Sequence, residues 1–164
     1  MSASQQPPAT PSSDPYAVFR PRRGRKVSLG VAVAALVIFT VGALSLPQGD
    51  PLFGGWTILD RLALELIGVA VAAVMWRFAS IRAVPTREGI VVRNLFTTRR
   101  LSWAQIIRVQ FGGGAPWVTL DLDDTDTVAV MAIQKADGTI SRAEAGRLSA
   151  LVQVHGERQE PRRP

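Results

Sequence analysis

The chain has 164 residues, 47% of them hydrophobic, and a formal net charge of +6. This length leaves room for one modest domain beside any membrane segment. The sequence contains no cysteine and one histidine, which excludes disulfides and thiolate catalysis and disfavours zinc sites and His-based nucleophilic triads.

The N-terminal part of the chain changes abruptly from polar to basic to apolar. Residues 1–18 are rich in Ser, Pro and Gln, which predicts a disordered tail, and residues 19–26 form a basic membrane flank. Residues 27–46 carry no charge, and twenty residues of helix match the thickness of the hydrocarbon layer. We predict a first transmembrane helix here. A cleaved signal peptide and a buried soluble helix are the alternatives, but the first has a shorter apolar region and the second a polar stripe.

A second apolar run follows a short loop rich in Pro and Gly. The loop, 47–57, is predicted to be external, and residues 58–78 are predicted to return across the bilayer. Arg61 and Glu65 are four positions apart, so they are expected to pair on one helix face, and whether Glu65 has a further role stays open. Gly68 and Ala72 favour close helix contact, either within this hairpin or in a homo-oligomer.

The distribution of charge predicts the topology. Residues 1–26 carry a net charge of +4, residues 27–76 carry −2, and residues 77–164 carry +4. Basic residues accumulate in cytoplasmic flanks. The chain is therefore predicted to be a plasma-membrane protein with two spans and with both termini in the cytoplasm.

Residues 81–157 are predicted to form a cytoplasmic domain, followed by a polar tail at 158–164. The short β-like segments are 81–86, 89–94, 98–102, 106–111, 117–122 and 127–133, with a hairpin turn at 123–126. Ser141 and Glu144 have the spacing of a capping box, which predicts one C-terminal amphipathic helix. The expected fold class is α+β: a transmembrane hairpin, then an antiparallel barrel or sandwich of six to seven strands capped by one helix.

Several stretches resemble a known family. They are "FRPRR" at 19–23, "REGIVVRN" at 87–94, "LSWAQIIRV" at 101–109, the paired apolar spans and the Gly-rich break before a strand pair. The chain resembles bacterial membrane proteins with a pleckstrin-homology-like (PH-like) domain, the group named after low molecular weight protein antigen 6. The resemblance makes Gly89, Asn94 and Trp103 signature positions of the fold. It implies a fold and a membrane address but no defined activity.

No catalytic or cofactor-binding pattern is found, so the chain is predicted not to be an enzyme and to need no cofactor or metal. The carboxylates of Asp121, Asp123, Asp124 and Asp126 lack the Gly and the closing Glu of a calcium loop and are interpreted as a solvated turn. The Gly-rich stretch 111–117 lacks the Lys and the helix of a phosphate loop. His155 is assigned a structural or solvent-facing role near a helix end.

The basic residues are the remaining candidates for a binding surface. Those assigned to contact with the membrane surface or lipid are Arg22, Arg23, Arg25, Lys26, Arg77, Arg82, Arg99 and Arg100. The alternative is that these charges only set orientation. Nucleic acid is disfavoured, because no aromatic stacking pattern accompanies the charges. Recruitment of an unknown protein partner is the leading hypothesis for function, and sensing of anionic membrane lipids is the alternative.

Overall fold

The computed structural model describes residues 14–47, 49 and 55–159. The chain divides into two compact units: Arg22–Ser80 is one, and the other combines the segment up to Pro21 with the chain from Ile81 onward. The predicted α+β class is confirmed. Residues 1–13, most of the predicted external loop and the end of the C-terminal tail lie outside the described residues.

The first unit is a pair of helices, α1 (Arg22–Ser45) and α2 (Ile58–Ala79). Thr57 caps α2 and shares a capping box with Asp60, so this helix begins one residue after a strong start signal. The helices approach closely at Gly68, where a Cβ would lie 2.6 Å from the Cβ of Phe39. The glycine therefore explains the close contact predicted within this hairpin.

The charged residues of α2 do not pair as predicted. Glu65 accepts hydrogen bonds at 2.9 and 3.1 Å from the Thr40 hydroxyl of α1, while Arg61 donates to the carbonyl of Leu46. The prediction of an Arg61–Glu65 ion pair was wrong, because each of the two side chains hydrogen-bonds to a residue outside α2 instead.

One helix among the described residues is long and apolar enough to cross a membrane: α1, Arg22–Ser45. Length and hydropathy alone do not distinguish it from a signal sequence near an N-terminus. Helix α2 does not meet the same criterion, and it carries the charged residues Asp60, Arg61, Glu65 and Arg77.

The second unit contains six strands in two three-stranded antiparallel sheets. The first sheet, in the order β1-β2-β3, is formed by Arg82–Pro85, Gly89–Arg93 and Thr98–Ser102. The second, in the order β4-β5-β6, is formed by Ile106–Gln110, Trp117–Leu122 and Thr127–Gln134. The predicted strands are confirmed to within one or two residues. A closed barrel is not formed: over the described strands, no ladder joins the two sheets.

Helix α3 (Thr139–Gln159) packs on β4, β6 and two short 3₁₀ turns, Trp103–Gln105 and Lys135–Asp137. The core between these elements is formed by large apolar side chains that are almost fully buried: Ile90, Val92, Trp103, Val118, Leu120, Val130, Ile133 and Leu148. The predicted capping box was wrong. The helix begins two residues earlier, Ser141 donates from inside the first turn to the carbonyl of Gly138 at 2.7 Å, and Glu144 instead pairs with Arg147.

The segment Asp14–Pro21, which we name the strap, is part of this second unit. Phe19 is 1% exposed, and its backbone exchanges hydrogen bonds of 2.9 and 3.0 Å with Ala83 at the edge of β1. Arg147 of α3 stacks over the Phe19 ring at 3.8 Å and donates to the carbonyls of Pro15 and Ala17. The predicted disordered tail therefore ends before Asp14 at the latest, because these contacts fix residues 14–18. The predicted basic flank is likewise divided, since Phe19–Pro21 joins the strap and Arg22 begins α1.

Candidate functional site: the outer face of the first sheet

The strand register of the first sheet collects arginines on one face. Arg82 lies opposite Arg93, which lies opposite Thr98, and in the next outward-facing row Val84 lies opposite Val91, which lies opposite Arg100. Directly opposed residues in an antiparallel ladder share a face. The intervening residues, such as Ala83 and Val92, are buried in the core. We name these six outward-facing positions the arginine face: Arg82, Val84, Val91, Arg93, Thr98 and Arg100.

Arg99 does not belong to this face, although the sequence suggested the same role for it and Arg100. It lies opposite Val92 on the inner side of the sheet and reaches across to Asp126 in the β5–β6 turn at 2.7 Å. Both side chains are about half exposed, at 56% and 45%, so the pair adds little stability. It does neutralise Arg99, and it gives the predicted acidic turn a structural function.

The arginine side chains of the face have no counterion among the described residues. The side chains of Arg82, Arg93 and Arg100 make no hydrogen bond or ion pair there, and the three strands contain no Asp or Glu. Beside Arg100 lies a shallow depression of about 240 Å³, lined by residues of the β1–β2 turn, β2 and β3, among them Glu88, Val91 and Leu101. The six positions of the arginine face carry three positive charges and no carboxylate, which suits an anionic partner.

The third strand leaves one edge of this sheet open. β3 pairs with β2, and no other strand pairs with it within the described part of the chain. An open edge offers unpaired backbone donors and acceptors to an added strand. Arg100 is in the middle of this edge strand, so charge and backbone pairing are offered together.

Two of the signature residues hold the sheet that carries this face. Gly89 is required where β2 pairs with β3, since a Cβ there would lie 2.0 Å from the carbonyl oxygen of Leu101. Asn94 is 8% exposed and bridges the two sheets: its Nδ2 donates to the carbonyl of Ala129 at 2.7 Å, and its Oδ1 accepts from the backbone N–H of Met131 at 3.2 Å.

Trp103 connects the β1–β2 turn of the first sheet with helix α3. It is fully buried, donates from Nε1 to the carbonyl of Thr86 at 3.1 Å, and stacks on the His155 ring with centroids 5.5 Å apart. A hydrogen bond of 2.7 Å joins His155 Nε2 to the Tyr16 hydroxyl of the strap. Because of these contacts, His155 has a structural position inside the domain, and α3 continues past it to Gln159.

The hydroxyl of Thr86 also affects a neighbouring charge: the Thr86 side chain lowers the pKa of the Glu88 carboxyl through a hydrogen bond.

The other basic candidates lie on the helical unit. Arg22, Arg23, Arg25 and Lys26 form the first turns of α1, and Arg77 in the last turn of α2 donates to the Ser80 hydroxyl at 3.2 Å. Arg93, a basic residue that the sequence places among those near the membrane, lies on the arginine face beside Arg82. Its place depends on the register fixed by the Asn94–Thr97 turn, where the N–H of Asn94 donates to the carbonyl of Thr97 at 2.9 Å.

The first-sheet strands, the second sheet and part of α3 fall within one family match. Residues 81–149 match the bacterial PH domain. This confirms the PH-like resemblance inferred from the sequence. A bacterial PH domain favours a binding module over an enzyme, and it leaves the partner unspecified.

Three curated relatives match about half of the chain. The sequence is 37% identical over 78 residues to an uncharacterized protein of Mycobacterium bovis and to uncharacterized proteins of two Mycobacterium tuberculosis strains. The match covers 48% of this chain and 51% of each relative, so the chain spans about half the length of the curated relatives it matches. No solved structure gives a significant match.

Proposed function

We propose that this protein is a non-enzymatic, membrane-anchored PH-like module that recruits a protein partner at the cytoplasmic face of the plasma membrane. The observation that carries the proposal is the arginine face, whose three arginine side chains have no partner in the described part of the chain and lie around Val84 and Val91, beside the edge of β3 that no described strand covers. The partner that fits is an extended acidic segment, because such a segment can add a strand to β3 while its carboxylates meet Arg100.

Two membrane crossings are part of the proposal, and the strap supports them. The strap precedes α1 and packs against the domain that follows α2. Two segments that pack together occupy one compartment, so the chain between them crosses a membrane an even number of times. If α1 crosses the membrane, α2 must therefore cross it again in the opposite direction.

The surface of α2 supports the same conclusion. The large apolar side chains Leu59, Leu62, Leu66, Ile67 and Val74 are each more than half exposed, while Gly68 is buried against α1. Membrane helices place small residues at their contacts and large apolar ones toward lipid, whereas a water-soluble hairpin buries the large ones.

Single Cys substitutions test the topology in this cysteine-free chain. We would introduce them at Ser12, Gln48 and Thr125 and label intact cells with an impermeant thiol reagent. Reaction of the Gln48 probe alone is the expected result. Labelling of the Thr125 probe would place the domain outside the cell and would contradict the proposal.

Photo-crosslinking in cells tests recruitment. A photoreactive residue at Arg100 is expected to give a discrete protein adduct, while the same residue at Arg108, exposed on the second sheet, gives none. Adducts from both positions, or from neither, would contradict a partner site on the arginine face.

A further inference from the structure

The tip of the β2–β3 hairpin exposes an aromatic side chain that the fold does not use. The turn is closed by the hydrogen bond from Asn94 to Thr97. Leu95 points inward and is 9% exposed, whereas the next residue, Phe96, is 88% exposed and is the most exposed of the large hydrophobic residues described. A Phe ring held in water forgoes the roughly 2 kcal/mol that its burial would supply.

The outward-facing charges next to this tip are both positive. Arg82 and Arg93 form the outward-facing row next to the turn, and neither has a partner among the described residues. Arg99, on the inner side of the sheet, forms an ion pair with Asp126. An aromatic ring beside free arginines is typical of groups that lie at a membrane interface, where the ring enters the acyl boundary and the cations meet headgroups.

We propose that the exposed ring of Phe96 at this tip, with Arg82 and Arg93, contacts the surface of an anionic bilayer and orients the domain against it. This inference rests on the membrane address of the proposed function and adds a second point of contact to the helices. Charge complementarity identifies the occupant, because anionic headgroups attract each unpaired arginine near the surface.

The shape of the tip favours a lipid surface over a protein. A single projecting ring on a two-residue tip offers far less area than the roughly 1,000 Å² that a specific protein interface needs, whereas a fluid interface adapts to it. Along the chain, Arg82 follows Ala79, the last residue of α2, by three positions. The row that carries Arg82 and Arg93 is therefore the part of the sheet most directly linked to the helical unit.

Spin labelling of the full chain tests the proposal. We would place the same nitroxide at Phe96→Cys and, as the control, at Ile107→Cys, another exposed apolar position, which lies on the second sheet and is 67% exposed. Each protein is reconstituted into vesicles of phosphatidylcholine with phosphatidylglycerol. The accessibility of the label to oxygen, which is enriched in lipid, is compared with its accessibility to a water-soluble nickel complex.

The expected result is an oxygen-to-nickel ratio shifted toward lipid at position 96 and toward water at position 107. Replacing Arg82 and Arg93 together by Gln should move the label at 96 toward water by roughly 25-fold in the lipid-to-water ratio, since each basic side chain near an anionic leaflet contributes about fivefold. Vesicles of phosphatidylcholine alone should have the same effect.

Two outcomes would overturn the proposal. Equal nickel accessibility at 96 and 107 would leave the tip in water, and protection from both reagents at 96 would indicate burial in protein, either a partner or a second copy. The Cys topology probes report separately on the membrane address, so a tip found in water in a correctly inserted protein contradicts this inference and leaves the proposed function standing.

Discussion

At the scale of single residues, Gly89 is needed because β2 and β3 approach too closely for any side chain. A methyl group would lie 2.0 Å from a backbone oxygen, which cannot move aside as a flexible side chain would. We expect Gly89→Ala to lower the free energy of unfolding by about 3 kcal/mol, at the upper end of typical substitutions. Urea unfolding of the purified chain, followed by tryptophan fluorescence, measures this loss.

The matched control is Gly146→Ala on α3, where nothing lies within 4 Å of the added methyl group. This exposed helical position should gain about 1 kcal/mol, because Ala favours the helix over Gly. Equal effects of the two substitutions would contradict the steric explanation.

Asn94 joins two sheets that no backbone ladder joins. Replacing it by Leu, which has a similar volume, leaves the carbonyl of Ala129 and the N–H of Met131 without their partner. An unsatisfied buried polar group costs about 1–3 kcal/mol, so we expect a loss of at least that size in the free energy of unfolding, again measured in urea. Thr98→Val, at an exposed position of the same sheet, should be nearly neutral; a similar loss there would contradict the bridging role.

At the scale of elements, the strap completes the edge of the first sheet. Phe19→Ala removes a buried ring that contacts Arg147, and such truncations cost about 3–5 kcal/mol. The strap should then detach, and limited proteolysis with chymotrypsin should cut after Tyr16 much faster than in the unchanged protein. Val18→Ala is the control, since Val18 is 39% exposed. Rapid cleavage of both variants or of neither would show that Phe19 does not hold the strap.

The strands were predictable and the strap was not, for a physical reason. Strands such as 117–122 alternate buried and exposed residues, and that period is visible in one segment alone. The strap has no period: one buried Phe lies in a stretch of Pro, Tyr and Ala, and its order depends on Arg147, which is 128 positions away. The signature residues of the face were found by resemblance, whereas Arg93 and Phe96 depend on register and turn geometry, which a linear pattern does not record.

At the scale of the whole molecule, the segment before the helical unit pairs with the strand that follows it, since Phe19 bridges Ala83. Residues 14–21 joined to 81–159 by a short Gly/Ser linker should therefore fold as a water-soluble domain. It should be several kcal/mol more stable in urea than residues 81–159 alone, because it keeps the burial of Phe19. Identical midpoints and slopes for the two proteins would contradict this.

The strap also has a consequence for biosynthesis. The first part of the domain to be synthesised is separated from the rest by both helices, so Phe19 stays unburied until Ala83 and Arg147 have been made. Under the proposed two-span topology, a chain in which one of the two helices fails to insert would leave its strap and its domain in opposite compartments. Its domain would then keep an open edge at β1 and an Arg147 not covered by the strap. Under that topology, correct insertion and complete folding are linked, and a misinserted protein would expose an incompletely folded domain to cellular proteases.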